Sequence, residues 1–150
     1  MIAFRTCKAR YDPWDGAGAA RQGGRWNSPG RPVIYAADSF AGSILEILAH
    51  SLRPRTLPGA HHAVRVDIPD QLIEILDDGA LPGWIERESA AAREFGDRWI
   101  REARSVALSV PALPCRPVGR ILIVNPAHPD AARVTRGIPF LVPWDERLFS

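Results

Sequence analysis

Three side chains that could bind and cleave a nucleotide lie close together in the first third of the chain. Arg25 stands in the glycine- and proline-rich stretch GGRWNSPGRPVIYAA, which also contains Tyr35, and Glu46 follows eleven residues after Tyr35. An arginine pairs bidentately with a pyrophosphate, an aromatic ring stacks on a flat cationic base, and a carboxylate stabilises positive charge that develops on a sugar. These groups suit NAD, whose nicotinamide–ribose bond breaks through an oxocarbenium-like state similar to that of glycoside hydrolysis.

The surrounding elements predict that these three side chains meet. The stretch from Pro32 to Ala37 is rich in residues that favour strands. Asp38 or Ser39 can cap a helix that runs to about His50. Because the connection between strand and helix is so short, the two must fold back on each other, while the arginine loop enters at the other end of the strand. We therefore expect a concave site.

Each of these side chains also has a purely structural interpretation. Arg25 could be a surface cation laid over Trp26 or Tyr35, and Tyr35 could be a core residue with a satisfied hydroxyl. Glu46 could lie on the solvated face of an amphipathic helix, opposite an apolar packing stripe. That predicted stripe consists of Ile44, Leu45 and Leu48.

Composition limits the classes of function. The 150 residues, 46% hydrophobic and 24% charged, indicate a single globular domain over residues 1–150. The net charge of +2 is too small to indicate direct nucleic-acid binding, and no apolar run is long enough for a membrane span. Two cysteines form no disulfide framework, and the neighbouring His61 and His62 point apart on a strand. We expect a cytoplasmic protein without a metal site.

Strand and helix patterns alternate irregularly along the chain, and this order favours an α+β fold. A loop is predicted from Tyr11 to Gly24, and the C-terminal tail is expected to dock as an extended edge. The remaining predicted elements are strands in MIAFRTC, HHAVRVDIP, SVALSVP and Ile121 to Val124, a short strand or turn from Gln71 to Leu76, a helix from Glu88 to Arg104 and a helical turn from Ala127 to Arg133.

Several motifs along nearly the whole chain resemble the RES domain, named for an arginine, a glutamate and a serine. The resemblance begins with the dipeptide Phe4-Arg5 and continues through GRW-x-x-x-G-x-P-x-x-Y, with Glu46 eleven residues later. Further on it includes the VP of SVPALP, the segment NPAHPDA and the closing DERLF. The family is the toxin half of bacterial toxin–antitoxin pairs whose partner is an Xre-like antitoxin.

The resemblance implies a compact domain like that of ADP-ribosylating bacterial toxins, with a central split β-sheet and short flanking helices. It also implies that NAD is the substrate. Arg25, Tyr35 and Glu46 match the family's arginine, tyrosine and glutamate and are the expected catalytic residues, and Trp26 and Asn27 join them as expected NAD-binding residues. The expected partners are an Xre-like antitoxin that occludes the active site and an acceptor protein.

The chain departs from the family pattern at two positions. The family serine that follows the VP dipeptide is replaced by Ala112, and an asparagine is replaced near Ile121. Ser109 is expected on the opposite strand face from Ala112. Because alanine cannot position an attacking water or phosphate, the change favours transfer of ADP-ribose to a protein. Degradation of NAD by water or phosphate, and a binding module without turnover, are the alternatives.

Overall fold

The chain folds around one mixed sheet, and the computed structural model describes residues 1–51 and 55–150. The strands are β1 (Ile2–Lys8), β2 (Ile34–Ala37), β3 (His61–Asp67), β4 (Ile73–Ile75), β5 (Ala107–Pro111), β6 (Arg120–Val124), β7 (Thr135–Arg136) and β8 (Phe140–Leu141). The α-helices of these described residues are α1 (Ala17–Gln22), α2 (Phe40–Ala49) and α3 (Ala90–Glu102). The predicted α+β class is confirmed.

The sheet order is β4-β5-β6-β2-β1-β3-β7, with β8 also paired to β3. Only the pair β4 and β5 is parallel among the described strands; the others are antiparallel. β2 therefore lies at the centre of the sheet, between β6 and β1. β1 and β2 pair over only a short stretch, in which Phe4 lies opposite Ala37.

Alternation along the strands divides the core between the two faces of the sheet. On what we call the helical face, Ala37, Leu108 and Ile123 pack with side chains of α3 such as Trp99. On the opposite face a second set of small and branched side chains packs against Trp14. Its strand residues are Ala3, Ile34, Ala36, Val64, Val66, Ala107, Leu122 and Val124.

α2 begins where the sequence predicts. The Ser39 side chain caps the helix by accepting a hydrogen bond from the Gly42 N–H at 3.0 Å. The predicted packing stripe is wrong at Leu45, which is 41% exposed, because the helix buries Gly42 and Ser43 instead. The Ser43 hydroxyl lies 2.8 Å from the hydroxyl of Thr6 on β1, so small polar side chains bring the helix close to the sheet.

Other predicted elements differ in detail. The segment predicted as a loop from Tyr11 to Gly24 contains α1. At the start of this helix, Asp15 Oδ1 accepts a hydrogen bond from the Ala17 N–H at 2.5 Å. The predicted tail, residues 138–149, docks as an extended edge through β8, which pairs with β3, as expected. None of the helices in residues 1–51 and 55–150 is long and apolar enough to cross a membrane.

Candidate active site

The loop that carries Arg25 is a tight turn made possible by two glycines. Gly23 has a φ of 69°, a conformation that favours glycine. Gly24 pairs with Asn27 in an isolated bridge, and its N–H donates to the Asn27 carbonyl at 2.9 Å. A Cβ on Gly24 would lie 2.6 Å from the Tyr35 hydroxyl oxygen. The turn can therefore pack directly onto the tyrosine only because no side chain intervenes.

Tyr35 is fixed by this loop through its hydroxyl. The hydroxyl donates to Asn27 Oδ1 at 2.6 Å and accepts a hydrogen bond from the Trp26 N–H at 3.2 Å. Burial raises the pKa of Tyr35, and the hydrogen bond from Trp26 opposes that shift only in part. The phenol is therefore a neutral, oriented group at neutral pH rather than a base.

Asn27 has no exposed surface, and its amide is committed to the loop. Nδ2 donates to the carbonyls of Ala19 and Arg31 at 3.0 Å each and to its neighbour Ser28 at 3.3 Å. Since Oδ1 already accepts from Tyr35, all of its polar atoms are used within the chain. The direct contact with NAD that the sequence predicted for Asn27 does not fit this position, and the residue instead orients Tyr35.

Trp26 is also a core residue in the structure. It is 3% exposed; its ring stacks on Trp84 with centroids 6.1 Å apart and is nearly perpendicular to the ring of Phe95 at 6.3 Å. The indole therefore presents almost no surface to a ligand. The predicted stacking of Trp26 on NAD is therefore corrected: the ring anchors the loop beneath Arg25.

Arg25 points from the loop toward the segment that connects β4 to α3. Its Nη1 donates to the carbonyls of Trp84, at 2.8 Å, and Glu86. Within the described residues, Nη1 donates both hydrogen bonds of this side chain. The N–H groups of Nε and Nη2 could therefore donate to an anion. Burial lowers the pKa of Arg25 and the nearby charge of Glu46 raises it, but an arginine remains a cation at any physiological pH.

Glu46 lies on the second half of α2, close enough to Arg25 for the two charges to interact. Burial raises the pKa of its carboxyl group, while His50 and then Arg25 act to lower it. His50 Nδ1 is 2.7 Å from the Glu46 carbonyl oxygen and 3.9 Å from Oε2. Arg25 thus shares one electrostatic environment with Glu46 and Tyr35. The structure therefore places Arg25 within electrostatic range of both Tyr35 and Glu46, and the catalytic roles of the three residues stay a prediction.

The polar groups that the family pattern places nearby are absent at the expected positions. Ala112 is buried on the helical face. Ser109 is also buried and accepts a hydrogen bond from Arg120 Nε at 3.0 Å, and by the alternation of β5 it lies on the opposite face. Burial, and then the charge of Glu46, raise the pKa of the Cys115 thiol, so this thiol lies within electrostatic range of the carboxylate.

Arg5, the second residue of the Phe4-Arg5 dipeptide that resembles the RES domain, contacts β2 from the other face of the sheet. Its register partner Val64 belongs to the core of the opposite face. Its Nη1 donates to the Tyr35 carbonyl at 3.1 Å, and its Nε is buried without a hydrogen-bond partner among the described residues. Arg5 therefore supports the backbone of Tyr35, and its guanidinium lies away from the tyrosine ring.

The fold is an α+β domain in which an arginine lies within electrostatic range of a partly buried tyrosine on the central strand and of a glutamate on the following helix. The model of the RES domain matches residues 2–145, and this chain belongs to that family. "Toxin Res" of Pseudomonas putida is 32% identical over 150 residues, which cover 99% of this chain and all of that protein. The "Prs ADP-ribosylating toxin" of a Sphingobium species is 39% identical over 132 residues, covering 85% of this chain and 80% of that one.

A solved structure supports the fold. The crystal structure of the Mycobacterium tuberculosis MbcT–MbcA toxin–antitoxin complex contains a chain that superposes with a TM-score of 0.75 at 22% identity. The match covers 99% of this chain and 86% of the other. At this identity the likeness shows the common architecture of the two chains.

Proposed function

We propose that this chain is the toxin of a bacterial toxin–antitoxin pair that binds NAD in the cytoplasm and transfers its ADP-ribose to a cellular protein, releasing nicotinamide. The observation that carries the proposal is the shared electrostatic environment of Arg25, Tyr35 and Glu46. The names of its relatives, which include an ADP-ribosylating toxin, point to the same function.

Arg25 supplies the phosphate contact in this proposal. Its Nη1 donates to two backbone carbonyls. Its Nε and Nη2 form the side of the guanidinium that can donate two hydrogen bonds to a phosphate. The protonated Tyr35 hydroxyl is fixed by Asn27, which orients the ring for contact with nicotinamide or ribose. Preorganisation of this kind reduces the entropy lost when NAD binds.

Glu46 supplies the negative charge for the chemical step. The bond between ribose C1′ and the nicotinamide nitrogen breaks, and its electron pair leaves with nicotinamide. A carboxylate beside the ribose stabilises the developing cation and accepts a hydrogen bond from a ribose hydroxyl. The acceptor nucleophile then forms a bond to C1′ and gives its proton to solvent or to Glu46. Neutral nicotinamide is the leaving group, so the step needs no redox partner.

Incubation of the purified protein and a cell lysate with NAD labelled in its adenylate half tests this function. Label attached to a lysate protein supports transfer. Free ADP-ribose or ADP-ribose phosphate identifies degradation instead, and an intact pool of NAD contradicts an enzymatic function. Glu46→Gln is expected to abolish consumption, whereas Glu94→Gln on the exposed face of α3 is the matched control and keeps it.

The proposed partner is an antitoxin that competes with NAD. The Nε and Nη2 groups of Arg25 can bind a carboxylate from an inserted side chain or chain terminus. We expect an Xre-like antitoxin to place such a group on the arginine, so that binding of antitoxin and of NAD exclude each other. Titration of NAD into the purified complex checks this, and an affinity equal to that of the free toxin contradicts competition.

A further inference from the structure

The loop that carries Arg25 is tied to α3 by one acidic side chain that the sequence did not single out. Asp97 Oδ1 accepts a hydrogen bond from the Ser28 N–H at 2.9 Å, and Oδ2 accepts one from the Ser28 hydroxyl. Arg31 Nε lies 3.3 Å from Oδ1. The Asp97 side chain is only 16% exposed. Both of its oxygens therefore bind the loop at two points on the C-terminal side of Arg25.

The residue before Asp97 allows the helix to approach this closely. A Cβ on Gly96 would lie 1.8 Å from the Trp26 carbonyl oxygen, a distance that no side chain can occupy. α3 thus contacts the loop backbone at Trp26 and holds it by hydrogen bonds at Ser28. Asn27, which orients Tyr35, is the residue between these two contacts.

We propose that Asp97 is a positioning residue for the NAD site: by holding Ser28 and Arg31 against α3, it keeps Arg25 and the Asn27–Tyr35 pair in the geometry that binds NAD. This inference rests on the proposed function. Asp97 does not touch the substrate, because its oxygens are occupied by the loop. The pKa of Tyr35 is raised mainly by burial and also by the charge of Asp97. This electrostatic effect is consistent with the position of Asp97 near the site.

The kinetics of Asp97→Asn test the proposal. Asparagine keeps the size and one acceptor oxygen of the side chain and loses the charge that pairs with Arg31. We expect KM for NAD to rise about tenfold while kcat falls less than about threefold, because a loosened loop weakens binding of NAD. A merely structural defect reduces the active fraction and lowers kcat at an unchanged KM, and that result would overturn the proposal. Glu94→Gln, on the same helix, is the matched control.

A double-mutant cycle checks that Asp97 acts through the loop. Ser28→Ala removes one of the two hydrogen bonds between Ser28 and Asp97. If the aspartate works by holding this serine, the effects of Ser28→Ala and Asp97→Asn on KM are less than additive. Fully additive effects contradict the mechanism.

Amide hydrogen exchange separates failure of this inference from failure of the proposed function. Asp97→Asn is expected to speed exchange at residues 24–31, with the strands of the sheet unchanged and Glu94→Gln like wild type. Wild-type protein that binds no NAD refutes both the proposed function and the positioning role. Unchanged exchange in Asp97→Asn, together with NAD binding by the wild type, refutes the positioning role alone.

Discussion

Glu46 shows how a single side chain in this site balances burial against neighbouring charge. Burial favours the protonated form, whereas His50 and Arg25 favour the carboxylate, and burial has the larger effect. A carboxylate that is costly to ionise is a strong interaction partner for a nearby cation, since it is poorly solvated. Such a group is suited to stabilise positive charge on a sugar.

The raised pKa of Glu46 predicts the pH dependence of activity and of stability. In the proposed mechanism turnover requires the carboxylate, so we expect activity to be lost as pH falls through the raised pKa, at a higher pH than for an ordinary glutamate. Because the folded protein binds this proton more tightly than the unfolded chain, the stabilisation is present in acid and is lost as pH rises through the folded pKa.

We therefore expect Glu46→Gln to be inactive at every pH and to melt at or above the wild-type temperature at pH 7. The difference in melting temperature should shrink toward pH 4, where the wild-type residue is protonated. Thermal melts across this pH range provide the measurement, with Glu94→Gln as control. A variant that is clearly less stable than wild type at pH 7 would contradict the shift.

The Tyr35 hydroxyl gives a second prediction at this scale. Tyr35→Phe keeps the ring but leaves Asn27 Oδ1 without its donor and the Trp26 N–H without its acceptor. Loss of a partner for buried polar groups costs about 1–3 kcal/mol of unfolding free energy. Denaturant unfolding measures it, and Tyr11→Phe at an exposed position is the control, with a change near zero. Equal stability of the two variants would mean that the hydroxyl does not hold the loop.

Among the secondary-structure elements, those with strong local signals were predicted well from the sequence. The Ser39 cap and the short turn after β2 place α2, and with it Glu46 beside the arginine. The role of Trp26 could not be predicted in this way, because it depends on contacts with Trp84 and Phe95, which are distant in sequence. The role of Asn27 depends on the exact path of its own loop, which brings the carbonyls of Ala19 and Arg31 to its amide.

α1 was missed for a different reason. Its sequence AGAARQ carries three alanines and no apolar stripe, and none of its residues is buried. Without a packing face, a six-residue helix has little periodic signal. The contact of Gly96 and Asp97 with the loop that carries Arg25 was missed as well. A glycine inside a helical pattern ordinarily indicates only a weak helix former.

Gly96 predicts how closely α3 must approach the loop. Gly96→Ala would force its Cβ into the Trp26 carbonyl oxygen, so helix and loop must separate. We expect a loss of about 1–3 kcal/mol, the usual cost of overpacking, together with weaker NAD binding. Gly18→Ala in α1 is the matched control, because its Cβ meets nothing within 4 Å, and that change should be neutral or slightly stabilising. Equal effects at the two glycines would refute the close contact.

For the molecule as a whole, the site joins segments that the sheet alone does not hold together. Arg25 comes from the loop before β2, Glu46 from α2, and the carbonyls that bind Arg25 from the segment before α3. A ligand that contacts the arginine and the glutamate therefore links three parts of the fold. Such a ligand stabilises only the folded state, by about 2.7 kcal/mol at a concentration one hundred times its Kd.

We accordingly expect the melting temperature to rise with NAD concentration, by several degrees for a domain of this size at about one hundred times the Kd. Arg25→Ala should melt at a lower temperature, because the segment around Trp84 loses its anchor, and should show no further rise with NAD. Arg98→Ala, at an exposed position of α3, is the control and should respond like wild type. If Arg25→Ala responds to NAD as the wild type does, the phosphate contact lies elsewhere, and the arginine serves only to hold this segment in place.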